Sequence, residues 1–111
     1  MEYLHYLSYF FGGTFFANAI PHLVSGLMGR PFQSPFAKPP GRGLSSSTVN
    51  VLWGFFNLII GYLLVFRVGI FSLYDLADAV SLGLGILAMS LMAAHIFGRV
   101  NGGNSPQNSA Q

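Results

Sequence analysis

Residues 18–43 read NAIPHLVSGLMGRPFQSPFAKPPGRG, and the character of the chain changes within them. The stretch begins inside an apolar segment, where Asn18, Pro21 and His22 stand among residues suited to lipid. It ends in a loop that is rich in proline, glycine and cations. Proline lacks the backbone donor that a helix interior needs, so four prolines between positions 31 and 40 prevent a continuous helix. The stretch therefore predicts the end of one helix and a connector to the next.

The composition indicates a membrane protein. Of the 111 residues, 52% are hydrophobic and only 7% are charged, whereas soluble domains carry about 25% charged residues. So few charges cannot solvate a whole globular surface, and part of the solvent must therefore be lipid. The chain has no cysteine, which excludes disulfides, thiolate metal sites and cysteine nucleophiles. A net charge of +2 is too small to indicate a nucleic-acid partner.

Three apolar segments are long enough to cross a bilayer, because a spanning helix needs roughly 20 residues. Together they predict an all-α fold, an integral membrane protein with one three-helix transmembrane domain over residues 1–100. We expect a kink at Pro21, since a proline ring clashes with the preceding helical turn. The predicted spans are residues 3–28, 48–67 and 73–98.

Local signals predict where these helices begin and end. Serine and threonine at positions 45–48 can cap the second helix. Ser72 and Asp75 resemble a capping box, which places the beginning of the third helix near Leu73. Residues 101–111 are small and polar, so they predict a disordered tail.

The cations predict the orientation in the membrane. With three spans, the basic loop (residues 29–47) and the C-terminus lie on one side, which carries four of the five cations. The positive-inside rule then places that side in the cytoplasm and the N-terminus outside. Helical spans exclude an outer-membrane barrel, so we expect the bacterial inner membrane. The membrane of a eukaryotic organelle is the alternative.

The basic loop also predicts a contact with lipid or with an acidic partner. Aromatic rings at the membrane interface and cations among phosphates bind anionic surfaces. A solvated spacer between two helices is the alternative. The residues predicted to make this contact are Arg30, Phe32, Phe36, Lys38 and Arg42.

Small and amide residues follow one face of the second helix. Asn50, Gly54, Asn57 and Gly61 are spaced i, i+4, i+7 and i+11, which places them in a single stripe. Small residues let helices approach closely, and asparagine can hydrogen-bond across the contact. We interpret the stripe as a helix–helix interface, and a polar lining of a pathway is the alternative.

The third helix repeats the small-residue pattern at a four-residue spacing. Ser81 and Gly85 lie on one face with Ala77, and Ala79 similarly precedes Gly83. We predict helix packing at both pairs.

His22 is the residue most open to a functional reading. It lies one turn after Asn18 within the first span. An ionisable residue inside a membrane is by default a candidate for a functional site. The alternative, which we favour, is a neutral histidine that is hydrogen-bonded to Asn18 or Asn57 and fixes packing. A metal site shared with His5 and His95 is disfavoured, because the span keeps His5 roughly 30 Å from the other two.

Two function classes follow from these features. No nucleophile with a base and no phosphate-binding loop is visible, so we expect neither an enzyme nor a cofactor. We expect a non-catalytic membrane component that contacts membrane lipids, either as a homo-oligomer or as an accessory subunit of a larger complex. The alternative is an oligomeric transporter or channel for a proton, ion or small solute, using His22, Asn18 and Asn57.

Overall fold

The computed structural model describes residues 3–107, which form three α-helices and one short hairpin. The prediction of an all-helical protein with three helices is confirmed. The helices are α1 (Leu4–Leu27), α2 (Ser47–Phe66) and α3 (Leu76–Asn101).

The basic loop contains two short strands. Strand β1 (Phe32–Gln33) pairs antiparallel with β2 (Leu44–Ser45), with Phe32 opposite Ser45 and Gln33 opposite Leu44. This hairpin was not predicted, because two residues per strand are too few to produce an alternating pattern. It closes the loop at its base and holds the proline-rich segment over the ends of the helices.

Helix α1 is the central element of the fold. Both α2 and α3 pack along α1, and they make hardly any contact with each other. The result is a flat molecule that measures 51 × 31 × 22 Å. α1 can accept a helix on two sides because small buried residues interrupt its surface, namely Gly12, Gly13, Ala17 and Ala19.

The stripe on α2 faces α1. A Cβ added at Gly54 would lie 2.9 Å from the backbone nitrogen of Leu23, and one at Gly61 would lie 3.1 Å from the carbonyl oxygen of Gly12. Both glycines therefore allow two helix backbones to meet. The interface that they form is internal to the chain, so it is not a free surface for a second copy.

The two pairs of small residues on α3, Ser81 with Gly85 and Ala79 with Gly83, have different surroundings. Gly85 is buried, and a Cβ there would collide with the carbonyl oxygen of Phe10 on α1. Ser81 is half-buried, and its hydroxyl donates to the Ala77 carbonyl within the same helix at 2.8 Å. Gly83 is exposed, and a Cβ added there would have no neighbouring atom within 4 Å, so the pair with Ala79 is not a contact within residues 3–107.

Helix α3 begins three residues later than the capping-box pattern predicts. Asp75, rather than Ser72, is the N-cap, and its Oδ1 accepts from the amides of Ala77 and Asp78 at 3.0 and 3.3 Å. The Ser72 hydroxyl accepts from the Tyr74 amide at 3.2 Å instead. A carboxylate is the better cap because the N-terminal end of a helix dipole favours negative charge.

The other helix ends are defined by a serine and a glycine. Ser46 caps α2 by accepting from the Val49 amide at 3.1 Å. α3 ends at Asn101, and Gly102 follows in the left-handed conformation with φ of 87°. The chain then turns back, and Asn104 Nδ2 donates to the His95 carbonyl at 2.7 Å. Of the tail predicted to be disordered, residues 108–111 lie outside the described part.

The helix α1 continues through Pro21 from Leu4 to Leu27. The kink that we expect there stays a prediction. Of the helices within residues 3–107, α2 and α3 are long and apolar enough to cross a membrane. α1 has the length but is not among them, because it also contains two histidines, an asparagine and a proline.

Candidate functional site

A hydrogen bond between His22 and Asn50 lies at the centre of the polar interior. His22 Nδ1 and Asn50 Oδ1 are 2.7 Å apart, and both residues are almost fully buried. Neither Asn18 nor Asn57, the partners expected from sequence, bonds His22. The reason is that His22 lies level with the beginning of α2, where the first asparagine of the stripe reaches it.

The surroundings of Asn50 determine which atoms donate. Its Nδ2 lies 3.0–3.2 Å from three backbone carbonyl oxygens, which can only accept. Oδ1 therefore faces the imidazole as an acceptor, so Nδ1 of His22 carries the proton. In a neutral imidazole the other nitrogen, Nε2, is then an acceptor. The three carbonyls belong to Phe32, Ser45 and Ser46.

A second hydrogen-bonded pair, between the side-chain amides of Asn18 and Asn57, lies one turn before His22 along α1. Asn57 Nδ2 donates to the Trp53 carbonyl at 2.8 Å, and this leaves Asn57 Oδ1 to accept from Asn18 Nδ2 at 3.0 Å. Within residues 3–107, no hydrogen bond forms to Asn18 Oδ1 or to His22 Nε2. Two acceptors one helical turn apart on α1 are therefore left without donors.

These two residues line a cavity of about 360 Å³ beneath the basic loop. Its walls come from all three helices and from the hairpin, and Gln33 and Ser34 contribute two further buried polar side chains. Trp53 and Phe97 supply the aromatic surface. The cavity thus combines buried polar groups with aromatic walls, which is typical of small-molecule sites.

The loop is held in place by side chains from distant parts of the chain. The hydroxyls of Ser34 and Ser45 form a hydrogen bond across the hairpin at 2.5 Å. Gln33 and Asn101 exchange two hydrogen bonds, at 3.3 and 3.2 Å, which tie β1 to the last residue of α3. The loop that covers the cavity is therefore held in place by hydrogen bonds across the hairpin and to the end of α3.

Phe32 packs inward, and its predicted contact with lipid or an acidic partner stays a prediction. It is half-buried, and its ring packs against His22 and Phe97 at centroid distances of 5.4 and 4.7 Å. The hairpin register turns this side chain inward. Phe36 is 63% exposed and packs edge-on against Trp53 at 5.2 Å, and Arg30, Lys38 and Arg42 are exposed.

A second, larger cavity of about 510 Å³ lies beside the first. It brings together Arg42 of the basic loop and Arg99 near the end of α3. Asn104 and Ser105 of the C-terminal turn complete its polar lining. Two cations that are far apart in sequence thus meet at one concave surface.

Several of these residues carry no signal in the sequence. In the sequence they resemble ordinary core or loop residues. Only the tertiary fold brings together, at one cavity, Gln33 of the hairpin, Trp53 of α2 and Phe97 of α3. The indole nitrogen of Trp53 is buried and has no hydrogen-bond partner within residues 3–107, and the same holds for the hydroxyl of Tyr9. Nothing in that described range groups three side chains of the metal-binding types.

Comparison with protein-family models, with curated proteins and with solved structures found no match for this chain. Its function is therefore inferred from the geometry of the molecule.

Proposed function

We propose that this chain is an integral membrane protein whose three helices cross the bilayer, and that it serves as a non-catalytic membrane component. The observation that carries the proposal is the reversal of polarity between interior and surface. The fully buried large side chains include His22, Asn50 and Asn57, whereas large apolar side chains are exposed along all three helices. Water would not stabilise such a surface, but hydrocarbon would.

Helix α3 supports the proposal most strongly. It has 26 residues, and only 6% of the residues in its most apolar 18-residue stretch are buried within the chain. Soluble monomers rarely expose contiguous apolar patches larger than roughly 300–600 Å². A helix of this length spans about 39 Å at about 1.5 Å per residue, which exceeds a hydrocarbon core of about 30 Å.

The polar residues of α1 are consistent with a central span. Asn18 and His22 face α2 and the cavity beneath the loop, so lipid does not have to solvate them. His22 and Asn18 each hydrogen-bond an asparagine of α2, so α1 can carry histidine and asparagine at membrane depth.

The charges support one orientation. Arg30, Lys38, Arg42 and Arg99 lie at the loop end of the molecule, while Asp75 and Asp78 lie at the beginning of α3. By the positive-inside rule, the loop end faces the cytoplasm of a bacterium and the N-terminus faces outward. The inner membrane is the corresponding location.

The outer faces of α2 and α3 are the surfaces left for a partner. Because Gly54, Gly61 and Gly85 are used inside the chain, a homo-oligomer or a larger complex would have to contact the exposed apolar faces instead. This arrangement suits an accessory subunit that lies against a larger membrane protein.

Alkaline extraction followed by affinity purification tests the proposal. The tagged protein should stay in the pellet when native membranes are washed with carbonate, because spanning helices are not released by high pH. In mild detergent, a stoichiometric foreign protein would support the accessory role, and a pure homo-oligomer would support self-association. Release into the carbonate supernatant would contradict membrane integration.

A transport function is the second candidate, because His22 and Asn18 present free acceptors to a cavity. A pH-dependent flux into proteoliposomes that is lost in His22→Gln, with the fold intact, would favour it over the non-catalytic role.

A further inference from the structure

We propose that the two adjoining cavities form one binding site for a phosphate ester that also carries a hydroxyl group, which is the chemistry of a hydroxylated phospholipid headgroup. The inference rests on the proposed membrane location and adds a ligand class to it. It is based on the residues that line the two cavities and on the hydrogen bonds that those residues have left unused.

The larger cavity has the properties of a phosphate subsite. Arg42 and Arg99 both line it, and the planar guanidinium group binds phosphate with two parallel hydrogen bonds. The two acidic residues within 3–107, Asp75 and Asp78, lie at the other end of α3. Asp78 and Arg99 are separated by about 30 Å of helix at about 1.5 Å per residue. The local field at the cavity is therefore positive.

The smaller cavity requires a hydrogen-bond donor. Two of its unused groups, His22 Nε2 and Asn18 Oδ1, are acceptors, as the bonds of Asn50 and Asn57 determine. Trp53 also lines this cavity, and its indole nitrogen, which has no partner within residues 3–107, is a donor that a hydroxyl oxygen can satisfy. An anionic oxygen cannot satisfy the two acceptors, so the phosphate itself does not belong there. A hydroxyl group can donate to either acceptor.

The two cavities are neighbours, because Gly41 and Ile96 line both of them. A ligand that places its phosphate beside the arginines can therefore extend past Gly41 and donate to His22. Gly41 has a φ of 75° and no atom within 4 Å of a Cβ position, so it leaves the passage open. Ile96 is 44% exposed on α3 and marks where an attached acyl chain would reach lipid.

The volumes fit this class of ligand. About 510 and about 360 Å³ both lie within the roughly 300–1,000 Å³ of small-molecule sites. The two arginines of the larger cavity would bind the phosphate. The two acceptors of the smaller cavity would favour headgroups that carry a hydroxyl over those that do not.

Native mass spectrometry of the full chain in nanodiscs tests the proposal. The probes are phosphatidylglycerol, which has a phosphate and alcohol hydroxyls in its headgroup, phosphatidic acid, which lacks those alcohol hydroxyls, and water-soluble glycerophosphoglycerol, which lacks the acyl chains. We expect phosphatidylglycerol to be retained about tenfold better than phosphatidic acid. Binding of the soluble ester would show that a free metabolite can use the same site, and its failure to bind would assign the site to lipid.

Matched variants separate the site from general charge attraction. The double variant Arg42→Gln with Arg99→Gln should lower retention about tenfold or more. The control, Arg30→Gln with Lys38→Gln, removes the same charge from exposed residues that line neither cavity. It should lower retention much less. Equal losses in both double variants would overturn the phosphate subsite.

A third variant tests the donor requirement. Asparagine at position 22 can still donate to Asn50 Oδ1 but lacks the acceptor at the Nε2 position. His22→Asn should therefore keep the fold and reduce the preference for phosphatidylglycerol over phosphatidic acid to near one. An unchanged preference would overturn the role of His22. A protein that enters nanodiscs but shows no lipid preference would contradict this inference alone, whereas failure to enter membranes would contradict the proposed function.

Discussion

The imidazole of His22 and the side-chain amide of Asn50, 28 residues apart in sequence, form a buried hydrogen bond of 2.7 Å between Nδ1 and Oδ1. The bond joins α1 to the first turn of α2. Through its amide nitrogen, Asn50 continues to Phe32 on the hairpin, so one residue connects two helices and the loop above them.

Loss of Asn50 should destabilise the protein more than loss of His22. His22→Leu removes one hydrogen bond, and such bonds in membranes average about 0.6 kcal/mol and reach about 1.7 kcal/mol. Asn50→Leu also removes the side-chain donor from the Phe32 and Ser45 carbonyls, for a total of about 2–3 kcal/mol. Thermal unfolding in one detergent compares them, with His22→Asn as the control that keeps the bond. Equal unfolding temperatures for both leucine variants would contradict the central role of Asn50.

Gly85→Leu should disrupt the packing of α3 on α1. Any Cβ at this position meets the Phe10 backbone, which cannot move without displacing the helix. Gly83→Leu is the matched control, because the same substitution two residues away meets open space. Protease resistance in detergent should fall for Gly85→Leu and stay at the wild-type level for Gly83→Leu. Similar resistance of both variants would show that α3 does not pack on Gly85.

An arginine in the middle of α3 distinguishes lipid from water as the solvent of this helix. Leu87 is 54% exposed, so Leu87→Arg would be harmless in water. At the centre of a spanning helix it should oppose insertion by about 2.5–3.5 kcal/mol. Leu76→Arg, at the exposed beginning of α3, is the control because arginine there can reach the interface. The membrane-bound fraction of the expressed protein measures both, and normal insertion of Leu87→Arg would argue against a lipid-facing α3.

Single cysteines should reveal the orientation in intact cells. Leu44→Cys on the hairpin and Gln107→Cys near the C-terminus should react with an impermeant thiol reagent only after the membrane is opened. Tyr74→Cys, at a fully exposed position in the opposite connection, should react at once. The chain has no native cysteine, so no background labelling arises. Labelling of Leu44→Cys from outside would reverse the proposed topology.

The helices were predictable because each carries its own signal. α2 contains 20 consecutive uncharged residues after a serine cap, and α3 follows from its apolar run, although it was predicted at 73–98 and lies at Leu76–Asn101. The stripe on α2 was also visible, since helical spacing alone places Asn50, Gly54 and Asn57 on one face. What it packs against was not, because spacing contains no information about the partner.

The candidate site was only partly predictable. Asn18 and His22 stand out as polar residues in an apolar helix, and Arg42 stands out in the basic loop. Their grouping depends on the hairpin, which turns Phe32 inward and brings Gln33 to Asn101. No local pattern predicts a hydrogen bond across 68 residues.

By itself, the sequence determined that the chain forms three apolar helices, where they lie to within about three residues at each end, and which segments carry the cations. These properties follow from local composition, because the hydrogen bonds of a helix close within four residues. Only the tertiary structure decided that α1 lies between α2 and α3, that His22 bonds Asn50, and that Arg42 meets Arg99 at one cavity. Those relationships depend on close contact between residues far apart in the chain, where glycines set how near two backbones can come.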